Sequence, residues 1–209
     1  MGIVTSVSQD HYSNFRGIQN TIKEKTTLVR RVAADGCVFL NADDPAVAGM
    51  AASAQAKVMT FGRLDGANYQ AVDVQQNESG WLTFTCKHQN HAVPFVLPVP
   101  AAHLLPSILG AIACAHQAGI SLERLARQAA HYQPLLGRCS LHSLGDGRTV
   151  ICDTVKAPFS TLSLAFDLLN DFPRSRPRRI VLGNVSDYPG SWTPKIKRIS
   201  EQALSVADE

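Results

Sequence analysis

Two groups of residues have the types and spacing to do chemistry. The first is Cys37 to Pro45, C-V-F-L-N-A-D-D-P, in which an apolar β-branched run breaks into a polar knot carrying Asp43 and Asp44. The second is His11, followed fourteen residues on by Lys25. Asp43 or Asp44 suits a helix N-cap, and Pro45 suits the first helical position, where its missing N–H costs nothing. The carboxyl end of a parallel strand is where α/β proteins place ligand chemistry. Composition alone favours a structural βα turn at 37–45, a turn histidine at 11 and a solvated lysine at 25. A histidine at a strand end and a lysine on the next helix can nevertheless converge on one point.

The elements that would position these groups alternate. Gly2 to Ser8 reads as a short strand that begins almost at once, as if in the middle of a domain. Ile18 to Val32 reads as a helix with an apolar side of Ile18, Ile22, Val29 and Val32. Pro45 to Ala56 reads as a small-residue helix and Lys57 to Gly62 as the next strand, completing a βαβ unit. From Tyr69 to Pro100 the period changes to two, predicting an antiparallel meander whose His88 and His91 flank its second turn and read as exposed. Ala101 to Ala118 predicts a long apolar helix ended by Gly119, and Ser121 caps another through Tyr132. Thr149 to Thr154 predicts a strand followed by an amphipathic helix through Leu169. Arg178 to Ser186 predicts a buried parallel strand, 187–190 a turn, and Thr193-Pro194 the start of a last helix through Ala207.

The chain has 209 residues, 45% hydrophobic and 18% charged, enough for one large or two small domains. A net charge of +3 is too small and dispersed for nucleic acid, and the basic run at 174–179 reads as a solvated loop. Five cysteines without a CxxC pair read as reduced residues of a cytoplasmic protein, not a disulfide or zinc framework. Neither a signal peptide nor an apolar run of membrane-spanning length is evident.

The order T-S-V-S-Q-D-H, thirteen residues, Lys25, then L-N-A-D-D-P resembles the central domain of the Mur ligases, ATP-dependent enzymes that add amino acids to the peptidoglycan precursor. The family reads T-N-(I/L)-x-x-D-H, then A-K, then N-A-D-D-P, so Ser6 stands where an Asn is usual. The resemblance implies that His11 contributes to a magnesium site and that Lys25, carbamylated in several members, helps hold the ion. Carbamylation would convert an ammonium into the oxygen donor magnesium prefers. A-A-H-L-L-P-S matches the family's G-x-H-N-x-x-N, which makes His103 a nucleotide-binding candidate. Leu104 and Ser107 replace the two Asn that help bind adenine, and a Leu cannot hydrogen-bond a purine edge.

P-L-L-G-R at 134–138 resembles the family's P-x-x-G-R, whose Arg approaches the terminal phosphate of ATP, so Arg138 is both a catalytic and a nucleotide-binding candidate. D-T-V-K-A-P stands where the family has the nucleotide-contacting D-D-(S/T)-Y-N-A-N-P, K-A-P departing from the commoner N-A-N-P, and the resemblance implies that Asp153 faces ribose or adenine and Lys156 faces phosphate. The loop after the 178–186 strand implies Asp187 as a holder of the incoming amino acid.

The resemblance covers nearly the whole chain but only the later part of a full ligase. The sequence contains no Gly-Lys dipeptide, hence no G-x-x-G-K-(T/S) phosphate loop. The expected architecture is α/β. Residues 1–137 would be the back part of a Mur-ligase central domain, with a parallel sheet and a small antiparallel meander. Residues 138–209 would be a truncated Rossmann-like domain. The implied ligands are ATP, Mg2+, and a UDP-sugar precursor or amino acid. The implied reaction is acyl-phosphate formation followed by amide formation, with the isolated chain inactive. The alternative is a non-catalytic nucleotide-binding or interaction module that pairs with a polypeptide supplying the phosphate loop. A Rossmann oxidoreductase is disfavoured because no G-x-G-x-x-G follows a strand.

Overall fold

Strand β2 (Cys37–Asn41) shows how the larger unit is assembled, because all five of its residues are buried. Successive side chains of a strand point to opposite faces, and a parallel strand covered on both faces is apolar throughout. Cys37 and Phe39 accordingly enter one core with Leu105, Leu109 and Ala113. Val38 and Leu40 enter a second with Val29, Val47 and Met50.

The computed structural model describes residues 1–8, 15–77, 80–100, 102–172, 174, 177–187 and 190–209. It divides into two units, one of Met1–Ser8 with Ile18–Gln133 and the other built on Pro134–Glu209. In the first, β1 (Gly2–Val4) is followed by α1 (Ile18–Arg31), β2, a one-turn α2 (Pro45–Ala48) and β3 (Lys57–Gly62). Then come β4 (Tyr69–Gln76), β5 (Leu82–His88), β6 (His91–Leu97), α3 (Leu105–Gln117) and α4 (Leu122–Ala129). The sheet runs β1-β2-β3-β4-β5-β6. β1 through β4 are parallel neighbours, and β4, β5 and β6 pair antiparallel. The parallel sheet and the meander are both present as expected.

Three helices are shorter than their apolar patterns suggest. After α2 the chain tightens into a 3-10 segment, Gly49–Ser53, opened by a glycine, which weakens an α-helix. α3 begins at Leu105 because Pro106 has no N–H to return to the preceding turn, and Ala102–Leu104 is again 3-10. Ser121 caps α4 through Arg124 N–H at 3.3 Å, and the helix stops at Ala129.

One expectation in the meander is corrected. His88 continues the inward phase of Leu82, Phe84 and Cys86 and is 7% exposed. It stacks on Tyr69 with ring centroids 4.0 Å apart and its Nδ1 donates to the Asn68 carbonyl at 2.7 Å. His91, one turn on, is exposed as expected.

In the second unit, β7 (Ser140–Leu144) and β8 (Arg148–Cys152) form an antiparallel hairpin, followed by α5 (Leu162–Asn170) and α6 (Trp192–Val206). Leu162, Phe166, Val185, Ile199, Ala203 and Val206 form its core. β8 overlaps the expected strand 149–154 but begins at Arg148 and ends at Cys152, and its partner β7 carries no comparable signal. The buried parallel strand expected at 178–186 is not formed among the described residues. Val181 is 96% exposed, and among the described residues this run's parallel pairing is a single bridge between Pro158 and Ser186. Ile180 N–H and the Arg178 carbonyl bond instead to Glu209 and Asp208. A β-rich apolar run becomes a strand only when neighbouring strands take up its backbone groups.

Arg178 also departs from the solvated loop expected for the basic run. It is buried, and its guanidinium donates to Asn170 Oδ1, the Val206 carbonyl and the Phe172 carbonyl. No helix among the described residues is long and apolar enough to cross a membrane.

Candidate functional site

The D-D-P turn is a hub of side chain to backbone hydrogen bonds. Asp44 is the N-cap, its Oδ1 accepting from Ala46 N–H at 2.9 Å and Val47 N–H at 3.2 Å. Its Oδ2 accepts from Val7 N–H at 2.8 Å. Asn41, almost fully buried, donates through Nδ2 to the Thr5 carbonyl at 2.8 Å and accepts from Asp43 N–H at 3.0 Å. Lys25 Nζ donates to the Ser6 carbonyl at 2.8 Å. Three consecutive residues beyond β1 are thus held by side chains from α1, β2 and the turn. Such polar clamps are needed where the β1 ladder, which ends at Val4, no longer satisfies the backbone.

Lys25 is therefore brought to the end of β1, the side from which the sequence leads to His11. His11 itself lies outside the described residues. An ammonium that donates offers no oxygen to magnesium, and no group of three or more His, Cys, Asp or Glu able to hold a metal ion occurs among the described residues. The described side chains do not by themselves fit a magnesium ion.

Asp43 points the other way. Both its oxygens accept Arg63 N–H at 2.8 Å, and Oδ1 also accepts Leu64 N–H at 3.0 Å. This carboxylate lies against Gly62, where an added Cβ would stand 2.5 Å from Asp43 Oδ1, so only glycine admits it. The β2 and β3 ends thereby line one side of a recess of about 200 Å³, with Val74, His103 and Leu109 on the other. His103, named from the sequence as a nucleotide-binding candidate, thus shares this recess with the D-D-P turn. Leu104 is half-buried and Ser107 exposed.

In the second unit a tight turn carries Arg138. Gly137 has φ +76°, and an added Cβ would meet Thr154 Oγ1 and Val155 Cγ2 at 3.0 Å. Its N–H donates to Ser140 Oγ at 3.1 Å, and its carbonyl accepts Thr154 N–H at 3.0 Å and Val155 N–H at 3.1 Å. Cys139 N–H donates to Asp153 Oδ1 at 3.3 Å. Arg138 is exposed between these fixed neighbours. Arg138 and Asp153, fifteen positions apart, are thus brought to one turn. Burial first, and then the Asp153 carboxylate, push the Cys139 thiol up to about 12, which disfavours the nucleophilic thiolate at neutral pH. The same desolvation raises Cys37, Cys86 and Cys114, in keeping with reduced, unreactive cysteines.

Lys156 and Asp187 meet directly. Nζ lies 2.7 Å from Oδ2, with the side chains 32% and 13% exposed. The resemblance gives these residues two separate duties, phosphate and amino acid, whereas the structure joins them as an ion pair. Sequence reasoning missed Asn41, Gly62 and Ser140 as positioning residues. The first two could have been suspected, since Asn41 closes an otherwise apolar strand and Gly62 ends the next one; Ser140 carries no such signal.

A family model for the Mur ligase middle domain matches residues 1–115. UDP-N-acetylmuramate–L-alanine ligase of Clostridium acetobutylicum is 27% identical over 180 residues, covering 84% of this chain and 38% of the relative. UDP-N-acetylmuramoyl-tripeptide–D-alanyl-D-alanine ligase of Mycobacterium tuberculosis is 32% identical over 158 residues, covering 75% of this chain and 31% of the relative. Among solved structures, MurF ligase of Thermotoga maritima in complex with ADP superimposes with a TM-score of 0.82 at 16% identity, over 99% of this chain and 47% of that one. MurF of Acinetobacter baumannii gives 0.74 at 20% identity, over 82% and 37%. At such identities the structures speak for the fold alone, and the chain spans less than two-fifths of these two curated relatives. With a middle-domain match over more than half its length, the chain belongs to the Mur ligase family.

Proposed function

We propose that this chain contributes parts of the central domain (1–137) and C-terminal domain (138–209) of a cytoplasmic, ATP-dependent carboxylate–amine ligase acting on a cell-wall precursor. The observation that carries the reading is the clamp on Thr5–Val7. The polar residues that make the motif recognisable are spent on holding Thr5–Val7, with Lys25 bonded to Ser6 in the middle of that segment.

In the proposed reaction a substrate carboxylate oxygen bonds to the γ-phosphorus of ATP as the β–γ bridge breaks, giving an acyl phosphate and ADP. An amino acid amine then attacks the acyl carbon, loses a proton and expels inorganic phosphate, leaving an amide. Arg138 and Lys156 would meet phosphate oxygens, where charge-assisted bonds are strong. Asp153 would meet ribose or adenine, and the recess beside His103 would take the base, with Leu104 and Ser107 altering its polar contacts. Magnesium would be held through His11 and a carbamylated Lys25. The carboxylate substrate would be a UDP-sugar precursor.

The phosphate loop would come from sequence outside these 209 residues, or from another polypeptide. The missing Gly-Lys dipeptide favours a second reading as well, a nucleotide-binding or interaction module that pairs with such a polypeptide. Calorimetric titration of the chain with Mg-ATP, beside a thermal melt, tests both. Arg138→Ala and Lys156→Ala should each weaken binding by about 1–3 kcal/mol. Unchanged affinity in both variants would remove the nucleotide reading. Amide formation by the 209-residue chain alone would remove the requirement for an added phosphate loop.

A further inference from the structure

Lys156 and Asp187 are thirty-one positions apart, yet their contact is built by backbone. Ser186 N–H donates to the Ala157 carbonyl at 2.8 Å, and Phe159 N–H donates to the Ser186 carbonyl at 2.9 Å. These bonds tie the residue after Lys156 to the residue before Asp187. Ser186 Oγ then donates to Asp187 Oδ2 at 3.2 Å, the same oxygen that meets Lys156 Nζ. Asp187 adopts φ +53°, a left-handed conformation uncommon for a non-glycine residue though more accessible to Asp than to most. Surface ion pairs form and break without such support. This one has a bridged backbone, a hydroxyl on the carboxylate and an acid that is mostly buried.

A lysine ammonium is a compact point charge, and a phosphate oxygen seeks the position that Asp187 Oδ2 takes. Two anions on one ammonium repel each other. We propose that Asp187 is an internal counter-ion that competes with phosphate for Lys156, setting a threshold of negative charge that a ligand must exceed to engage it. The ligand class is a nucleoside polyphosphate or its pyrophosphate moiety. The inference rests on the reading of Lys156 as a phosphate contact and alters the duty of Asp187, from holder of the incoming amine to regulator of anion binding.

The opposed roles predict opposite signs. In calorimetric titrations of the full chain with pyrophosphate and with ADP, Asp187→Asn should tighten binding about two- to fivefold, the range of a partly exposed ion pair. Lys156→Ala should weaken it about tenfold, and in the double variant the Asp187→Asn gain should vanish. A gain that persists without Lys156 would be a general effect of net charge and would overturn the proposal. So would unchanged or weaker binding in Asp187→Asn while Lys156→Ala still weakens it, an outcome that leaves the phosphate reading standing. No effect of Lys156→Ala would overturn both. Should Asp187→Asn lose its cooperative melt, carbon NMR of the wild-type chain decides. Pyrophosphate should shift the Asp187 carboxyl and Lys156 Cε resonances together, and a shift of Lys156 alone refutes the competition.

Discussion

Two runs that both read as buried parallel strands, 37–41 and 178–186, end in different states. The first is clasped between β1 and β3, its side chains filling two cores. The second bonds mainly to the last residues of the chain and leaves Val181 in solvent. The difference lies in the neighbours and not in the run itself. A strand flanked on both edges can hold a polar turn rigidly at its end, which is what Asn41, Asp43 and Asp44 require. A run without flanking strands relies on isolated contacts, and its terminal Asp187 is fixed through Ser186 and Lys156 instead.

The largest effect that separates the two regions is apolar truncation. Phe39→Ala should cost about 3–5 kcal/mol, whereas Val181→Ala should stay within about 0.5 kcal/mol. Denaturant unfolding of both variants measures this, and a comparable loss at Val181 would mean that its run is packed against a partner in solution.

A smaller loss sharpens the same contrast at the turn. Asp44→Ala removes both the cap and the acceptor for Val7 N–H, and should cost about 1–3 kcal/mol by denaturant unfolding. Asp44→Asn should recover the cap, since Asn serves as well there. Faster amide exchange at Val7 in the alanine variant would place the clamp on Thr5–Val7 under Asp44 control. Unchanged exchange would refute it.

The smallest effect is a pH dependence in the first unit. Tyr69 OH and His116 Nδ1 share a hydrogen bond of 2.8 Å, and burial, followed by His88 and His91, lowers the His116 pKa below its ordinary 6.5. A histidine whose folded pKa is depressed binds fewer protons folded than unfolded. Its contribution is present above about pH 6.5 and lost as pH falls through the depressed value. Melting between pH 7.5 and 5 should show this slope, and His116→Phe should flatten it. An unchanged slope in that variant would assign the dependence to other groups.

Local chemistry made much of the first unit legible. The buried β2, the Asp-Pro helix start, the period-two meander and the Ser121 cap all follow from residue type and spacing. The D-D-P turn was visible for the same reason, whereas spacing alone leaves Lys25 a solvated charge and only the resemblance to the Mur ligases marks it as a candidate. His88 was misread because its position beside a turn outweighed the inward phase of β5, which continues through it.

Other features had no local signature. Asn41 reaches Thr5 across thirty-six positions, and Arg178 meets Val206 across twenty-eight. Ser140 is drawn to Gly137 by the shape of a turn, and Lys156 meets Asp187 through a backbone bridge. Sequence by itself determined which segments could be strands, helices and caps, because those preferences act within a few residues. Only tertiary structure decided which strands found partners and which charges met, because burial and pairing depend on surfaces brought together from distant parts of the chain.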